Sequence, residues 1–471
     1  MIGRMMSAAI LPIALSACAV GPNYSDPELS AGQSWVTDAA EFTSEALPDS
    51  WWLALEDDDL EQVLGLAAKN NLDLALATNR IREVRALRQA TRSAFWPQLQ
   101  LDLRQTDAEQ SILSPQGGGP LIDAGLIPRD IEFATASLDA SWELDLFGAR
   151  RRGAEAANAR LQATAANAAA VRLTVLADAA SAYFELAGAR ERWRIASSNL
   201  ASQERTLELT RRKVRSGLAR RVDELRAEAQ WSAARAQLPA IKAAIETTRF
   251  RLALLTGGAP DSLPDALGAE RLPVAPAAVP VGLRADVLRR RPDVQAAERE
   301  LAAATADVGV ATADFFPRFV LSARYGFEAA SSADIPSSRA RTTAVVPFLR
   351  WPVFQGGRLR ANLAAADSRA VAASLAYEKA VLAALADAES AIADYREELL
   401  VFERLAESAK ASIEAAALSS RLYEQGLADF LTVLDAQRRR DEAADARAQS
   451  QTRALVKLVR VYKALGGGWS V

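Results

Sequence analysis

The chain contains itself twice, and this duplication restricts its fold more than any other feature. Phe95-Trp96-Pro97-Gln98-Leu99 returns as Phe315-Phe316-Pro317-Arg318-Phe319, an offset of 220 (315 − 95). Trp142 with Phe147-Gly148 returns as Trp351 with Gln355-Gly356-Gly357, an offset of 209 (351 − 142). Ser216-Gly217-Leu218-Ala219 and Gln425-Gly426-Leu427-Ala428 keep the 209 (426 − 217). The copies are therefore collinear, with 11 extra residues (220 − 209) in the first, between Pro97 and Trp142. A chain doubled around matching strands and helices builds a symmetric tube or stacked bundle more readily than an enzyme pocket.

Within each copy the hydrophobic period changes along the chain. Over 97–105, Leu99, Leu101 and Leu103 alternate with Gln98, Gln100, Asp102 and Arg104. Over 133–146, Ala136, Leu138, Ala140, Trp142 and Leu144 alternate with Ser137, Asp139, Ser141, Glu143 and Asp145. Period two predicts strands. The second copy repeats the pattern over 317–328 and, with Val346 and Phe348 blurring it, over 342–354. Each segment is near the ~9–11 residues of a tilted strand that crosses a bilayer. Apolar side chains would face lipid, and Asp102, Arg104, Asp139, Glu143, Asp145, Arg318 and Arg324 would line water. A soluble sheet with one covered face gives the same alternation. The stretch Gln110 to Pro128, rich in Gly and Pro, predicts an exposed loop and holds the extra residues.

After each strand pair comes a long stretch without proline, Arg150 to Ser216 and Arg358 to Gln425. Each predicts a helix of roughly 100 Å at ~1.5 Å per residue. A Gly-Leu-Ala turn then reverses the chain into Val222 to Leu255, which contains Pro239, and into Phe430 to Leu465. Shorter helices are expected at 60–69, 73–94 and 283–288. The organisation that follows is a first repeat over 60–264, a linker over 265–291, a second repeat over 292–465 and a tail over 466–471.

Composition removes several function classes. Net charge is −3 and no Lys/Arg run is interleaved with aromatics, so nothing suggests nucleic acid. Histidine is absent, which excludes His-based triads and His-bearing zinc sites. No motif supports another enzyme, metal site or cofactor. No segment reads as a membrane helix; Ala163 to Ala187 comes nearest but carries Asn167, Arg172, Asp178 and Glu185. The chain can cross a bilayer only with strands. Cys18, the one cysteine, follows Arg4, a short apolar stretch and Leu15-Ser16-Ala17. Leu-Ser-Ala-Cys resembles the bacterial lipoprotein signal, which implies loss of 1–17 and acylation of Cys18, ahead of an irregular segment over 18–59. Ala19 after the cysteine, by the same resemblance, permits export to the outer membrane.

Strand pair, long helix, turn and return helix, twice over, resemble the TolC-like outer-membrane efflux channels. The acylated branch that includes OprM and NodT is the closer match. Cys18-Ala19-Val20-Gly21-Pro22-Asn23-Tyr24 resembles the start of that branch's mature chain. Trp142-Glu143-Leu144-Asp145-Leu146-Phe147-Gly148 and Pro352-Val353-Phe354-Gln355-Gly356-Gly357-Arg358-Leu359 resemble its two strand-to-helix junctions. Leu288-Arg289-Arg290-Arg291-Pro292-Asp293-Val294 resembles its mid-chain signature. The resemblance implies a mainly α fold with transmembrane β. Four strands per chain are pooled by a homotrimer into one 12-stranded β-barrel, continued by a long periplasmic α-helical barrel. It also implies a periplasmic adaptor and an inner-membrane transporter of the RND type as partners. The protein would be a passive, gated exit duct rather than an enzyme. Four strands cannot close a barrel, and open edges in lipid leave backbone groups unsatisfied, so pooling has an independent reason.

The same resemblance supplies candidate residues. Gly217, Leu218, Gly426 and Leu427 match the helix turns at the periplasmic end, where adaptor tips are expected to meet the channel. Glycine there also suits a helix C-cap. Asp435 matches an aspartate facing the pore at its narrowest point, where three copies would favour cations and raise one another's apparent pKa. Asp223 and Tyr423 match positions that link neighbouring hairpins in the closed state of some relatives. A participating arginine falls at Ala428, for which Arg220 or Arg221 could substitute. The competing expectation is a lipid-anchored periplasmic coiled-coil adaptor or scaffold. It accounts for the helices and the leader but not for four amphipathic strands in matched pairs.

Overall fold

The computed structural model describes residues 19–27, 35–36, 42–43, 45, 48, 50–113, 118–263, 272–276, 278–335 and 337–467. The chain opens with β1 (Phe42–Thr43), a 3₁₀ turn (Trp51–Leu55), α1 (Asp58–Asn70) and α2 (Leu72–Ser93). β2 (Gln98–Glu109), the short α3 (Gly119–Asp123) and β3 (Asp130–Leu144) lead into α4 (Ala149–Arg215) and α5 (Arg221–Leu255). β4 (Val279–Pro280) and α6 (Arg284–Arg290) precede α7 (Pro292–Ala313), β5 (Arg318–Ala329) and β6 (Arg341–Arg350). α8 (Arg358–Glu424) and α9 (Phe430–Ala464) complete the chain. α4 and α8 each have 67 residues and α5 and α9 each have 35, so the copies match in element length as well as order.

β3 spans Asp130–Leu144 rather than 133–146, and the largest departures from the expected strand ends are at β2 and β6. β2 continues to Glu109 because β3 offers partners along its whole length, from Gln98 opposite Ser141 to Glu109 opposite Asp130. β6 stops at Arg350 rather than near 354, since Pro352 has no N–H to donate and Val353 N turns back to Trp351 O at 3.0 Å.

The chain packs as two compact units. One holds the chain up to Asp26 with Glu83–Gln162 and Glu298–Leu375. Its centre is an antiparallel sheet in the order β2-β3-β5-β6, so the hairpin of each repeat joins the other through β3 and β5. The segment after residue 18 is tied to this unit. Val20 N donates to Phe147 O at 3.1 Å, and the buried Arg152 reaches Val20 O at 3.2 Å and Asn23 Oδ1 at 2.6 Å. Gly21 lies so close to α7 that a Cβ on it would stand 2.5 Å from Gly309 Cα. Beyond it, Tyr24 donates its hydroxyl to Glu298, with the Arg299 guanidinium over its ring.

The other unit holds Pro27–Arg82, Ala163–Ala297 and Ala376–Val471. Its core is built on Tyr183, Phe184, Leu252, Ile392, Tyr395 and Leu455, all with essentially no exposure. Trp51 stacks on Tyr462 at 4.7 Å, and Tyr183 donates to Asp57 Oδ1 at 2.7 Å, which anchors the start of α1 on α4. A Cβ on Gly188 would stand 2.1 Å from Thr452 Oγ1, so glycine is what lets α4 and α9 touch. Among the described residues no helix is long and apolar enough to cross a membrane.

Candidate functional site

Register sorts the sheet's side chains without exception at its centre. Gln100 stands opposite Asp139, which stands opposite Arg324, and Asp102 opposite Ser137. Leu101, Leu138 and Tyr325 line up likewise, one residue away and so on the opposite face. The polar face carries its own ion pair, Arg324 Nε to Asp139 Oδ1 at 2.6 Å. The apolar face is uncovered: Leu99, Leu101 and Leu103 are 67%, 66% and 71% exposed. Contiguous exposed apolar surface of this kind needs an apolar neighbour. Among the described residues β2 and β6 are each paired on one side only.

Two of the side chains expected to line water meet the start of α4. Asp145 accepts from Arg150 N at 3.0 Å and from Arg151 N at 2.9 Å, capping the free amides at the start of α4. Glu143 pairs with Arg150 Nη2 at 2.9 Å. A helix N-terminus attracts carboxylates strongly enough to draw Asp145, which lies beyond the end of β3, to its amides. Glu143 keeps the register face of Asp139 and meets the Arg150 side chain. Asp102, Arg104, Asp139, Arg318 and Arg324 stay on the polar side by register.

Both helix reversals have one geometry. Gly217 and Gly426 adopt φ of 73° and 76°, and Leu218 N and Leu427 N each reach back to the carbonyls of Lys213 and Leu422 at 2.8 Å. This is a Schellman closure. No atom lies within 4 Å of where a Cβ would stand on either glycine, so backbone conformation, not space, selects it. Leu218 and Leu427 are left 77% and 72% exposed.

Several charged groups near these turns are engaged. Asp223 is buried, accepting from Arg220 N at 3.3 Å as the third residue of α5, with Arg220 and Arg226 at 3.7 and 3.8 Å. In the second turn Asp429 caps α9 by accepting from Thr432 N at 2.8 Å, and this bond holds its carboxyl below the usual range, helped by Arg220. Tyr423 packs on Phe430 at 5.5 Å beneath Lys213 Nζ, 3.8 Å from its ring centre. Its buried hydroxyl lies near Thr210, whose own proton goes to Thr206 O at 2.8 Å. Burial pushes the Tyr423 pKa up, Thr210 opposes this, and the Asp223 carboxylate adds to it. Asp223 and Tyr423 are thus brought into one neighbourhood within a single chain.

Asp435 does not stand alone. Arg438 Nη2 and Arg439 Nε donate to its two oxygens at 3.0 and 2.8 Å. These bonds hold its carboxyl below the usual range, the reverse of the direction expected from repulsion among aspartates alone. Cys18 lies outside the described residues. Among the described residues no group of His, Cys, Asp and Glu could hold a metal ion.

The pattern that defines the outer membrane efflux protein family matches residues 63–258 and 283–467. The chain belongs to this family. The pyoverdine export outer membrane protein OpmQ of Pseudomonas putida is 32% identical, over 98% of this chain and 97% of its own. Nodulation protein T of Rhizobium leguminosarum bv. trifolii is 29% identical over 97% and 96%. Among solved structures, the outer-membrane channel OprN superimposes with a TM-score of 0.88 at 36% identity, covering 96% of this chain and all of its own. The open state of the Neisseria gonorrhoeae channel MtrE does so with 0.84 at 29% identity, covering 96% and 99%. The chain therefore has the TolC-like fold and is an outer membrane efflux channel, residing in the outer membrane with its helical part in the periplasm. Two sets of side chains that engage the candidate residues lie outside the sequence reading. Arg438 and Arg439 sit three and four residues after Asp435, the spacing of paired charges on a helix, and that spacing was readable. Arg152, which holds the segment after Cys18, had no local signal.

Proposed function

We propose that three copies of this efflux protein pool their sheets into one twelve-stranded barrel and form a gated duct that does no chemistry. The open edges of β2 and β6 carry the reading. Unpaired strand edges cannot persist in hydrocarbon, whereas β2 of one copy against β6 of the next closes the ring. The apolar face then meets lipid, and the Asp139–Arg324 pair faces the water column. Gly217, Leu218, Gly426 and Leu427 form the tips that a periplasmic adaptor meets, and an inner-membrane transporter of the RND type supplies the energy. Asp435 with Arg438 and Arg439, backed by Asp223 and Tyr423, forms the periplasmic constriction. Cys18 carries the acyl anchor, a reading supported by the docking of Ala19 and Val20 beside Phe147, at the end of the sheet where the helices leave. The adaptor alternative leaves the four strands without a role.

The decisive test is extraction. The protein should leave outer membranes only with detergent and migrate with the mass of three chains. A Cys18→Ala variant exported through a cleavable leader should still need detergent. If that variant is soluble in buffer, the barrel reading fails.

A further inference from the structure

The tryptophans that mark the repeat make the same bond in both copies. Trp142 Nε1 donates to Phe95 O at 2.9 Å, and Trp351 Nε1 donates to Phe315 O at 3.0 Å. The helices that run into these two junctions differ. α2 carries Arg85, Arg88 and Arg92; at the offset of 220 (315 − 95), α7 carries Thr305, Val308 and Thr312. The second copy serves as an internal control: the junction forms there without arginines, so the fold does not require them.

In the first copy the three arginines line a cleft of about 760 Å³ with Phe95, Trp96 and Trp142, and no carboxylate lines it. Arg85 and Arg92 make no ion pair or hydrogen bond among the described residues, and Arg88 Nε is buried without a partner. Three guanidiniums gathered without a counter-charge repel one another, which an anion would relieve. The aromatic side of the cleft adds a second requirement. Trp96 is 75% exposed, and Trp142 shares its sheet face with Leu138, opposite Leu101, so the cleft opens onto the apolar face. Exposed tryptophan at the end of a membrane strand marks the interface between headgroups and hydrocarbon.

We propose that this cleft binds the phosphodiester of an anionic glycerophospholipid in the periplasmic leaflet, its acyl chains running along Leu99, Leu101 and Leu103. The membrane placement rests on the outer-membrane reading above. Free phosphate shares the headgroup's chemistry, but only a lipid uses the aromatic wall and the leucine track.

Native mass spectrometry of the detergent-extracted wild-type protein tests this. The probes are phosphatidylglycerol and phosphatidylcholine of the same chain length, with inorganic phosphate as competitor. The wild type should retain phosphatidylglycerol in preference to phosphatidylcholine, and millimolar phosphate should not displace it. Each arginine near an anionic headgroup is expected to contribute roughly fivefold, so Arg85→Gln/Arg88→Gln/Arg92→Gln should weaken retention about a hundredfold. Equal retention of the two lipids by the wild type overturns the proposal, and this arm needs no variant. Displacement by phosphate overturns the lipid source, and undiminished retention by the triple variant overturns the site. Should the triple variant fall apart into single chains without lipid, the arginines hold a protein contact and the proposal fails. Conductance of the same wild-type sample reports separately on the duct, so a conducting protein without lipid preference sinks only the lipid site.

Discussion

Asp139 and Arg324 face each other across β3 and β5, carboxylate to guanidinium at 2.6 Å, so an ion pair ties the first repeat to the second. Ser137 also donates to Asp139, at 2.8 Å. Removing either charge leaves the other unpaired on the polar face. Arg324→Ala should shift the reversal potential under a salt gradient toward cation preference, and Asp139→Ala toward anion preference. If neither moves in planar bilayers, the pair does not face the conduction path.

Asp435 and Glu442, the latter 4.0 Å from Arg438, with Arg438 and Arg439 make a charge-balanced local group, not an acidic ring. Asp435→Asn should therefore favour anions, and Arg438→Gln/Arg439→Gln should favour cations. The Asp435 pKa is lowered in the folded chain by its arginine bonds, so its pairing is complete above the ordinary value of about 3.9 and is lost as pH falls through the lowered one. The selectivity of the wild type should then be constant from about pH 5 upward. Single-channel recordings that vary strongly over that range would reject this arrangement.

Glu398 is the most enclosed carboxylate of the α8–α9 contact, bonded by Ser450 at 2.7 Å, Arg453 at 3.1 Å and Lys457 at 3.0 Å. Burial alone would raise its pKa; Ser450, Lys457 and Arg453 outweigh this and hold it low. A lowered carboxyl stabilises the fold above its unfolded pKa and loses that contribution as pH falls through the folded one. Glu398→Gln should cost roughly 1–3 kcal/mol at neutral pH, between the limits for exposed and buried pairs. The gap between wild type and variant should close on acidification toward about pH 3. Melting curves at both pH values measure it, and a gap that persists in acid would assign the cost to packing.

Gly217→Ala and Gly426→Ala should each destabilise by about 1 kcal/mol, since alanine fits the space but resists positive φ. Leu218→Ala and Leu427→Ala should cost less than about 0.5 kcal/mol, as exposed positions do. Loss of efflux in the leucine variants at unchanged melting temperature would therefore report a partner contact. Full efflux in both would exclude the turns from docking.

Much of this architecture was written in local pattern. Leu99, Leu101 and Leu103 announce their strand because period two is a property of neighbours in sequence. Gly217 and Gly426 announce their turns because one residue type fits positive φ. Long-range contacts leave no such trace. Nothing near Arg152 says that it will hold the carbonyl of Val20, and nothing near Gly188 says that Thr452 will press on it. Asp145 takes a second role for a different reason. Strand alternation and helix capping both predict a carboxylate at that position, and the free amides of α4 are the stronger claim.

The contact of Gly21 with Gly309 sets an order of events. Gly21 lies near the beginning of the chain, yet its seat is formed partly by a helix in the second repeat, so it has nowhere to settle until that helix exists. A contact so distant along the chain closes late in folding. The segment around Gly21 thus precedes in the chain the helix that seats it, and its final placement reports that both repeats have come together.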